Sequence, residues 1–304
     1  MEKLKEALFI DKKSGAGKIS DGELKKADAF CEPYKKFLNQ CKTEREAAAE
    51  AARLAQKAGF TEFDMEKKYE PGDRVMVNNR GKAIMLAVMG KNGVKNGVRI
   101  AAAHIDSPRL DLKPNPLYEQ NDLALLKTII MGVSKIPVVR HSPFPPRQGG
   151  EKDGSYVDIV WARIRIDPQF CVTDLLPHLG GEQMKKPAAK IIEGEDLNIL
   201  VGSRPFKSDK GSELVKLNIL KLLNEKYGIT EYDFLSAELE LVPAFQVTDI
   251  GFDRSMIGGY GHDDRVCAYP ALMAVLDQKI PDDTVITILT DKEETGSDGN
   301  TGLN

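Results

Sequence analysis

The sequence predicts an α/β protein in which a mixed, largely parallel sheet is flanked by helices and interrupted by an inserted, β-rich domain. Two observations lead to this prediction. Near both ends of the chain, apolar strand-like segments alternate with helical ones, as they do in βαβ units. Between residues 110 and 242, prolines are frequent and the apolar runs are short, which is typical of a separate strand-rich unit. We therefore expect residues 1–109 and 243–304 to form one domain and residues 110–242 to form the inserted one.

The first sixty residues predict helices. In "TEREAAAEAARLAQKAGF", Thr43 and Glu46 have the spacing of a capping box, and alanines and leucine fill the helix interior. Gly59 stands where a glycine commonly follows the last helical turn. This stretch therefore predicts a helix with a defined start and a defined end.

Strands follow the helices. "RVMVNNRGKAIMLAVMG" contains two apolar runs around an Asn-Arg-Gly turn, which predicts a hairpin. A third strand, Val98–His104, is apolar on both faces, so we expect it in the middle of a covered sheet. Later, "SELVKLNILKLLNEKYG" predicts a helix that ends at Gly228, and "ELELVPAFQV" predicts a buried strand.

The last sixty residues alternate between element types. The glycine-rich loop "GGYGHDDR" leads into a helical segment, "VCAYPALMAVLDQ", and then into an apolar strand, "TVITILT". A loop rich in carboxylates follows that strand. This order predicts a βαβ unit whose strands carry polar residues at their carboxyl ends.

Composition excludes several classes of function. The chain has 304 residues, a net charge of -3 and no dominant basic block, so we expect no nucleic-acid partner. No apolar run approaches the roughly 20 residues that a membrane span needs, so we expect no membrane association. The four cysteines are scattered without a CxxC pair, which is typical of reduced thiols and predicts a cytoplasmic protein.

Three polar clusters follow strands or a glycine-rich turn, and we expect them to converge. Ligands of open α/β sheets bind at the carboxyl ends of the strands. The clusters are His104 with Asp106, Asp263 with Asp264, and Glu293 with Glu294.

The residue types in these clusters indicate a hydrolytic metal centre with two cations. A neutral imidazole and carboxylate oxygens suit Zn²⁺ or a similar divalent ion. Asp106 lies two residues after His104 and could hold its second N–H, while Asp263 could bridge two cations. In the Glu293–Glu294 pair, one carboxylate could bind metal while the other acts as a general base.

Each cluster also has an ordinary structural interpretation. A histidine at a strand end is commonly just hydrogen-bonded, an Asp-Asp pair before a helix is commonly an N-cap, and a Glu-Glu pair in a loop is commonly solvated. The combination of three such clusters favours the metal site. Cys267 lies in a predicted helix, and we expect it in the core rather than acting as a nucleophile.

Three long motifs resemble one known family. "AAAHIDSPRLDLKPNPLYE", "GGYGHDDRVCAYPAL" and "LTDKEETGSDGNTG" closely resemble the M18, or aspartyl aminopeptidase-like, family of dinuclear zinc aminopeptidases. "FCVTDLLPHL" and "LVGSRPF" resemble that family's inserted domain. The resemblance implies a zinc-peptidase α/β fold with a β-rich oligomerisation domain, and removal of one N-terminal residue at a time from peptides.

The resemblance also implies roles for individual residues. His104 is expected to bind one of two zinc ions, with Asp106 orienting it, and Glu294 to bind the other. Asp263 is the expected bridging carboxylate, and Glu293 the expected base that deprotonates the bridging water. Members of the family form dimer-based homo-oligomers, often dodecamers, so a homo-oligomer is expected here. Other divalent ions also suit these ligands.

The chain departs from the family pattern after the last motif. The family supplies two more ligands, an Asp and a His, C-terminal to its Glu-Glu pair. Only ten residues follow Glu294 in this sequence, and none of them is a histidine. We therefore expect this chain to be a fragment that is inactive as given.

A second departure lies inside the inserted domain. The family has a segment resembling His-Tyr-Tyr-Gly-Gly-Ile-Lys where this chain has "IIMGVSKIPVV". A codon string that encodes residues 129–134 yields the family's segment when it is read one base earlier. Our hypothesis is that residues 129–149 and 161–166 are out-of-frame translation, which would make Trp161 an artefact. Sequencing the DNA across this stretch tests the hypothesis.

Two other functional classes stay open at this point. The chain could be a non-catalytic relative that keeps the fold and oligomerises. It could also be another dinuclear zinc hydrolase, such as an aminoacylase or a carboxypeptidase. The sequence leaves open whether the N-terminal residue removed is acidic or neutral.

Overall fold

The computed structural model describes residues 4–5, 8–10, 15–131, 168–187, 190–208 and 210–303. Its helices are α1 (Asp21–Gln40), α2 (Glu44–Lys57), α3 (Leu214–Tyr227) and α4 (His262–Leu276). Its strands are β1 (Thr61–Glu62), β2 (Arg74–Asn79), β3 (Ala83–Val88), β4 (Val98–His104), β5 (Arg109–Gln120), β6 (Leu123–Met131), β7 (Cys171–Val172), β8 (Ile199–Gly202), β9 (Glu240–Leu241), β10 (Thr248–Ile250), β11 (Met256–Gly258) and β12 (Thr284–Thr290).

The first sheet has the strand order β1-β2-β3-β12-β4. β1 runs parallel to β2, and β12 runs parallel to β4, whereas β3 is antiparallel to both of its neighbours. This mixed sheet with helices packed on it confirms the predicted α/β class. Parallel and antiparallel pairings are equally frequent among its described strands.

Local signals in the first part of the chain are confirmed. Thr43 caps α2, and the side chain of Glu46 completes the capping box. Gly59 has φ +88° after the helix ends, a conformation that costs glycine little. The hairpin of β2 and β3 turns through Arg80 and Gly81, which both have positive φ.

One hydrophobic core lies between the first sheet and helices α1, α2 and α4. Alanines on one face of α2 are buried, which lets that helix lie close to the sheet. Leu38 of α1, Leu86 of β3, Leu272 of α4 and Leu289 of β12 are all fully buried. Burying a leucine side chain stabilises a fold by about 1.5–3 kcal/mol, so this core fixes how β12 and α4 approach each other.

The second sheet has the order β7-β8-β6-β5-β9, and every described pairing in it is antiparallel. A second core packs this sheet against α3, and its buried members range from Leu110 to Leu241. Helix α3 ends at Tyr227, and Gly228 follows it with φ +69°, which agrees with the predicted end of the helix. The division into residues 1–109, 110–242 and 243–304 stays a prediction.

Strand β4 differs from its prediction. We expected it in the middle of a covered sheet, but β12 is its one neighbour among the described strands, so it lies at the edge. Its first five residues are exposed, and Ile100 is 58% exposed. An apolar run shows that a segment favours burial, but burial also requires other elements that pack on it. No described residues pack on this face of β4.

Two smaller predictions also need correction. Of the segment predicted as a buried strand, residues 239–242 are buried, whereas Phe245 is 46% exposed. The strand itself is limited to β9, because Pro243 follows closely and cannot donate a ladder hydrogen bond. Cys267 lies in α4 as predicted, yet it is exposed rather than in the core, because it occupies the face of the helix turned from the sheet.

Most of the proposed out-of-frame segments lie outside the described residues. Residues 129–131 belong to β6, while residues 132–149 and 161–166, with Trp161, are not among the described residues. Within the described part of the chain, no helix is both long and apolar enough to span a membrane.

Candidate metal centre

Parallel pairing of β4 and β12 creates the site. His104, the last residue of β4, pairs with Thr290, the last residue of β12. The main-chain N–H of Ile105 then donates to the carbonyl oxygen of Thr290 at 2.8 Å, which extends the pairing past the strand ends. Because parallel strands end at the same edge, the segments that follow them meet there.

His104 is the centre of the cluster and is 8% exposed. Its Nε2 lies 3.3 Å from Oδ1 of Asp263 and 3.7 Å from Oε2 of Glu293. Its Nδ1 lies 3.2 Å from Oδ1 of Asp106. One imidazole therefore contacts all three predicted clusters.

Asp106 joins the end of β4 to the carboxylate loop. Its two carboxylate oxygens accept hydrogen bonds from the main-chain N–H groups of Glu293, at 3.3 Å, and Glu294, at 3.1 Å. Asp106 is 1% exposed, so these charge-assisted bonds form away from water. The structure thus brings His104, Asp106, Asp263, Glu293 and Glu294 together.

The cluster is strongly negative. Burial disfavours the charged imidazole, but the hydrogen bond that His104 donates to Asp106 and the charges of Asp106 and Glu293 raise the pKa of His104 to about 9. Burial, and then the charge of Asp106, raise the pKa of Glu294 above its ordinary value. Surroundings that hold a proton on His104 also favour a divalent cation.

A closed loop presents Glu293 and Glu294. The N–H of Asp291 donates to the carbonyl of Thr301 at 3.0 Å, and the Thr301 hydroxyl lies 3.3 Å from the Asp291 carboxylate. Asp291 is 1% exposed. These bonds join the two ends of the loop, so the two glutamates are held on a short, tied segment.

Asp263 is held mainly through its backbone. The Ser107 hydroxyl donates to the main-chain oxygen of Asp263 at 3.0 Å. Asp263 and Asp264 lack helical dihedral angles, although they lie within the first turn of α4. The side chain of Asp263 is 89% exposed, so its carboxylate faces solvent next to the buried imidazole.

The donor set fits zinc. Ligands about 2.0–2.1 Å from a tetrahedral zinc ion lie roughly 3.3–3.4 Å from each other. The distance of 3.3 Å between His104 Nε2 and Asp263 Oδ1 matches this spacing. One nitrogen and several carboxylate oxygens are also ligands that zinc accepts.

A second carboxylate group lies deeper in the protein. Carboxylate oxygens of Glu44, Glu238 and Glu240 lie within 4.8 Å of one another. Lys82 Nζ lies 3.0 Å from Glu44 and pairs with Glu238, while Arg109 contacts Glu44 at 3.4 Å and Glu240 at 3.2 Å. The protein's own cations contact all three carboxylates, which favours a structural role for this group.

The sequence predicts no role for three residues that support the site. Ser107 and Asp291 lie within two of the motifs, and Arg265 lies at the end of the glycine-rich loop. Arg265 is fully buried and donates to the carbonyl of Ile105. The signal for Arg265 in the sequence is its charge at the start of an otherwise apolar helical segment.

The chain matches one family model, "Aminopeptidase I zinc metalloprotease (M18)", over residues 37–136 and 157–304. The unmatched residues 137–156 overlap the segment 129–149, where the sequence departs from the family pattern. Out-of-frame translation there stays a prediction.

Curated relatives agree with the family model. A probable M18 family aminopeptidase 1 of Clostridium acetobutylicum is 47% identical, covering 97% of this chain and 65% of the relative. The probable M18 family aminopeptidase 1 of Borrelia garinii subsp. bavariensis is 44% identical, covering 94% of this chain and 63% of the relative. The chain thus spans just under two thirds of the length of these relatives.

Solved structures share the fold. An M18 aminopeptidase from Thermotoga maritima superposes with a TM-score of 0.86 at 40% identity, covering 92% of this chain and 61% of the other. Aminopeptidase I from Clostridium acetobutylicum superposes with a TM-score of 0.85 at 44% identity, covering 98% of this chain and 66% of the other. Together with the site geometry, these matches show that the chain belongs to the M18 aminopeptidase family.

Proposed function

We propose that the protein carrying this chain is a zinc aminopeptidase that removes N-terminal residues, acidic or neutral, from peptides. One observation carries the proposal: the buried imidazole of His104 faces carboxylates from both other motifs, at 3.3 Å for Asp263 and 3.7 Å for Glu293. Membership of a family of zinc metalloproteases supports the same chemistry.

We propose a centre with two zinc ions. His104 would hold one ion, Glu294 the other, and Asp263 both. The exposed carboxylate of Asp263 and the half-buried side chain of Glu294 are compatible with this division. A bound zinc ion would polarise the scissile carbonyl and lower the pKa of a water molecule.

Protein residues would position and move the protons. Asp106 holds Nδ1 of His104, which leaves Nε2 directed at the metal position. Glu293, whose side chain is 53% exposed, can take a proton from water and deliver it to the leaving amine. The N–H of Glu293 is bound to Asp106, so this base sits on a fixed backbone.

The proposal is tested by peptide hydrolysis assays on the full-length protein. We expect release of the N-terminal amino acid from free-amine peptides and no release from the same peptides with acetylated amines. Preference for the blocked amines would point to an aminoacylase. Release of the C-terminal residue would point to a carboxypeptidase. A protein that binds zinc but hydrolyses no peptide would be a non-catalytic relative.

We also propose that the protein forms a dimer-based homo-oligomer, with residues 110–242 as its oligomerisation domain. A fold neighbour, S. cerevisiae mApe1, is described as a dodecamer; it superposes with a TM-score of 0.65 at 18% identity and covers 91% of this chain and 62% of its own. Light scattering after size exclusion tests this, and a monomeric mass would contradict it.

We also propose a cytoplasmic location. All four cysteines are free thiols, which supports this proposal.

A further inference from the structure

Arg265 is a fully buried arginine at the junction of two of the site motifs. It lies two residues after Asp263, in the first turns of α4. Its side chain crosses from this helix to the segment that follows β4. Charged side chains are rarely buried without an ionic partner, so the contacts of this one are informative.

The guanidinium of Arg265 binds main-chain carbonyl groups. Its Nε and Nη2 both donate to the carbonyl oxygen of Ile105, at 3.0 Å and 2.8 Å. Nη2 also donates to the carbonyl oxygen of Lys42 at 3.1 Å, just before α2 begins. Ile105 is the residue between His104 and Asp106, so the guanidinium binds the backbone of the histidine motif itself.

The residues next to the Arg265 side chain accommodate its guanidinium. A Cβ at Gly261 would lie 2.1 Å from Nη1, so the position requires a glycine. The guanidinium carbon lies 5.7 Å from the centre of the Tyr260 ring, within range of a cation–π contact. Burial, and then the charge of Arg265, lower the pKa of Lys42 to about 8. The fold therefore keeps Arg265 in place despite a nearby like charge.

We propose that Arg265 is a positioning residue that sets the spacing between His104 and Asp263. It holds the carbonyl of Ile105 from the same helical turn that carries Asp263. Without these bonds, the histidine motif would keep its link to Thr290 and the bond from Ser107 to Asp263, but Ile105, between His104 and Asp106, would lose its tie to α4. This inference rests on the proposed zinc site.

Arg265→Lys tests the inference because lysine keeps the charge but cannot donate two bonds in one plane. Arg74→Lys is the matched control. The Arg74 guanidinium also binds main-chain carbonyls, including those of Ala58 and Leu276 at 3.1 Å, but at the opposite end of α4. Zinc affinity is measured by competition with a chelator, and hydrogen exchange of residues 98–110 is measured without metal.

We expect Arg265→Lys to weaken zinc binding about 10–100-fold and to speed exchange in residues 98–110, because residues that orient ligands typically have effects of this size. Arg74→Lys should change neither. Equal zinc affinity in wild type and Arg265→Lys, or equal losses in both variants, would overturn the inference. If the wild-type protein binds no zinc, both the inference about Arg265 and the proposed function are wrong.

Circular dichroism establishes that each variant is folded. If Arg265→Lys does not fold, Arg265→Gln replaces it, since the amide keeps one donor without a buried charge. Unfolding of both variants while Arg74→Lys stays folded would also overturn the proposal, because Arg265 would then act on the fold as a whole.

Discussion

Oδ1 of Asp106 lies 3.2 Å from Nδ1 of His104. The same carboxylate accepts the main-chain N–H groups of Glu293 and Glu294. Asp106 therefore performs two tasks, because it orients the imidazole and places the loop that carries the glutamates. A residue that combines these contacts links the geometry of the metal ligand to that of the base.

Asp106→Asn should weaken zinc binding by about 10–100-fold, because the amide carries no charge and can accept at one oxygen only. The measurement is zinc affinity by chelator competition. Asp64→Asn is the control, since the Asp64 carboxylate also accepts a main-chain N–H, that of Glu66 at 2.9 Å, but on an exposed loop. Equal affinities in the two variants would contradict the role of Asp106.

Glu293→Gln should keep the metal and lose turnover, because glutamine cannot take a proton from water. The loss expected for a general base is about 10²–10⁴-fold in kcat. The measurement pairs zinc content with peptide hydrolysis. A variant with near-normal kcat would show that Glu293 is not the base.

Glu44→Gln should destabilise the fold by about 3–5 kcal/mol at pH 7, because it removes the fully buried carboxylate that Lys82 and Arg109 share. Urea unfolding measures the change. Glu50→Gln is the control on the same helix: Glu50 forms a surface ion pair with Arg53 at 2.7 Å, and its loss should cost at most about 1 kcal/mol.

Acid should also act on Glu44. Burial opposes its charge, but Arg109 and Lys82 lower its pKa from 4.5 to about 2. Because the folded protein releases this proton more readily than the unfolded chain does, the stabilisation is present above pH 4.5 and is lost as pH falls towards 2. In Glu44→Gln, that part of the acid dependence should disappear, and an unchanged acid profile would contradict the assignment.

Glu240→Gln should be neutral or stabilising at pH 7, in contrast to Glu44→Gln. Burial, and then the charge of Glu44, raise the pKa of Glu240 well above 4.5, so the folded protein binds a proton there more tightly than the unfolded chain does. The unfolded chain releases its proton at lower pH, so wild-type stability falls as pH rises from 4.5 towards the folded pKa. Urea unfolding from pH 5 to 8 should show a flatter profile in the variant. A destabilisation as large as that of Glu44→Gln would contradict this assignment.

Much of the site could be predicted because its signals are local. His104 ends an apolar strand, and Glu293 and Glu294 follow another, so parallel pairing alone brings these residues to one edge. The capping box at Thr43 and the glycine after α2 are likewise properties of short segments. Each of these signals can be recognised within its own segment, whereas the pairing of β4 with β12 joins segments that are far apart in the chain.

Other features depend on contacts between distant residues. Arg265 binds the carbonyls of Ile105 and Lys42, which lie 160 and 223 residues away, and a carbonyl acceptor leaves no mark in the sequence. The exposure of β4 depends on what covers it, and the exposure of Cys267 on which face of α4 meets the sheet. Patterns of residue type give the preference of a segment but not its surroundings.

The most direct test of the account is zinc anomalous scattering from crystals of this chain grown with zinc. The account predicts a peak about 2.0–2.2 Å from Nε2 of His104 and from the carboxylate of Asp263. Crystals of His104→Ala should lose that peak. A map with no peak there, or with its peak among Glu44, Glu238 and Glu240 instead, would contradict the proposed metal centre.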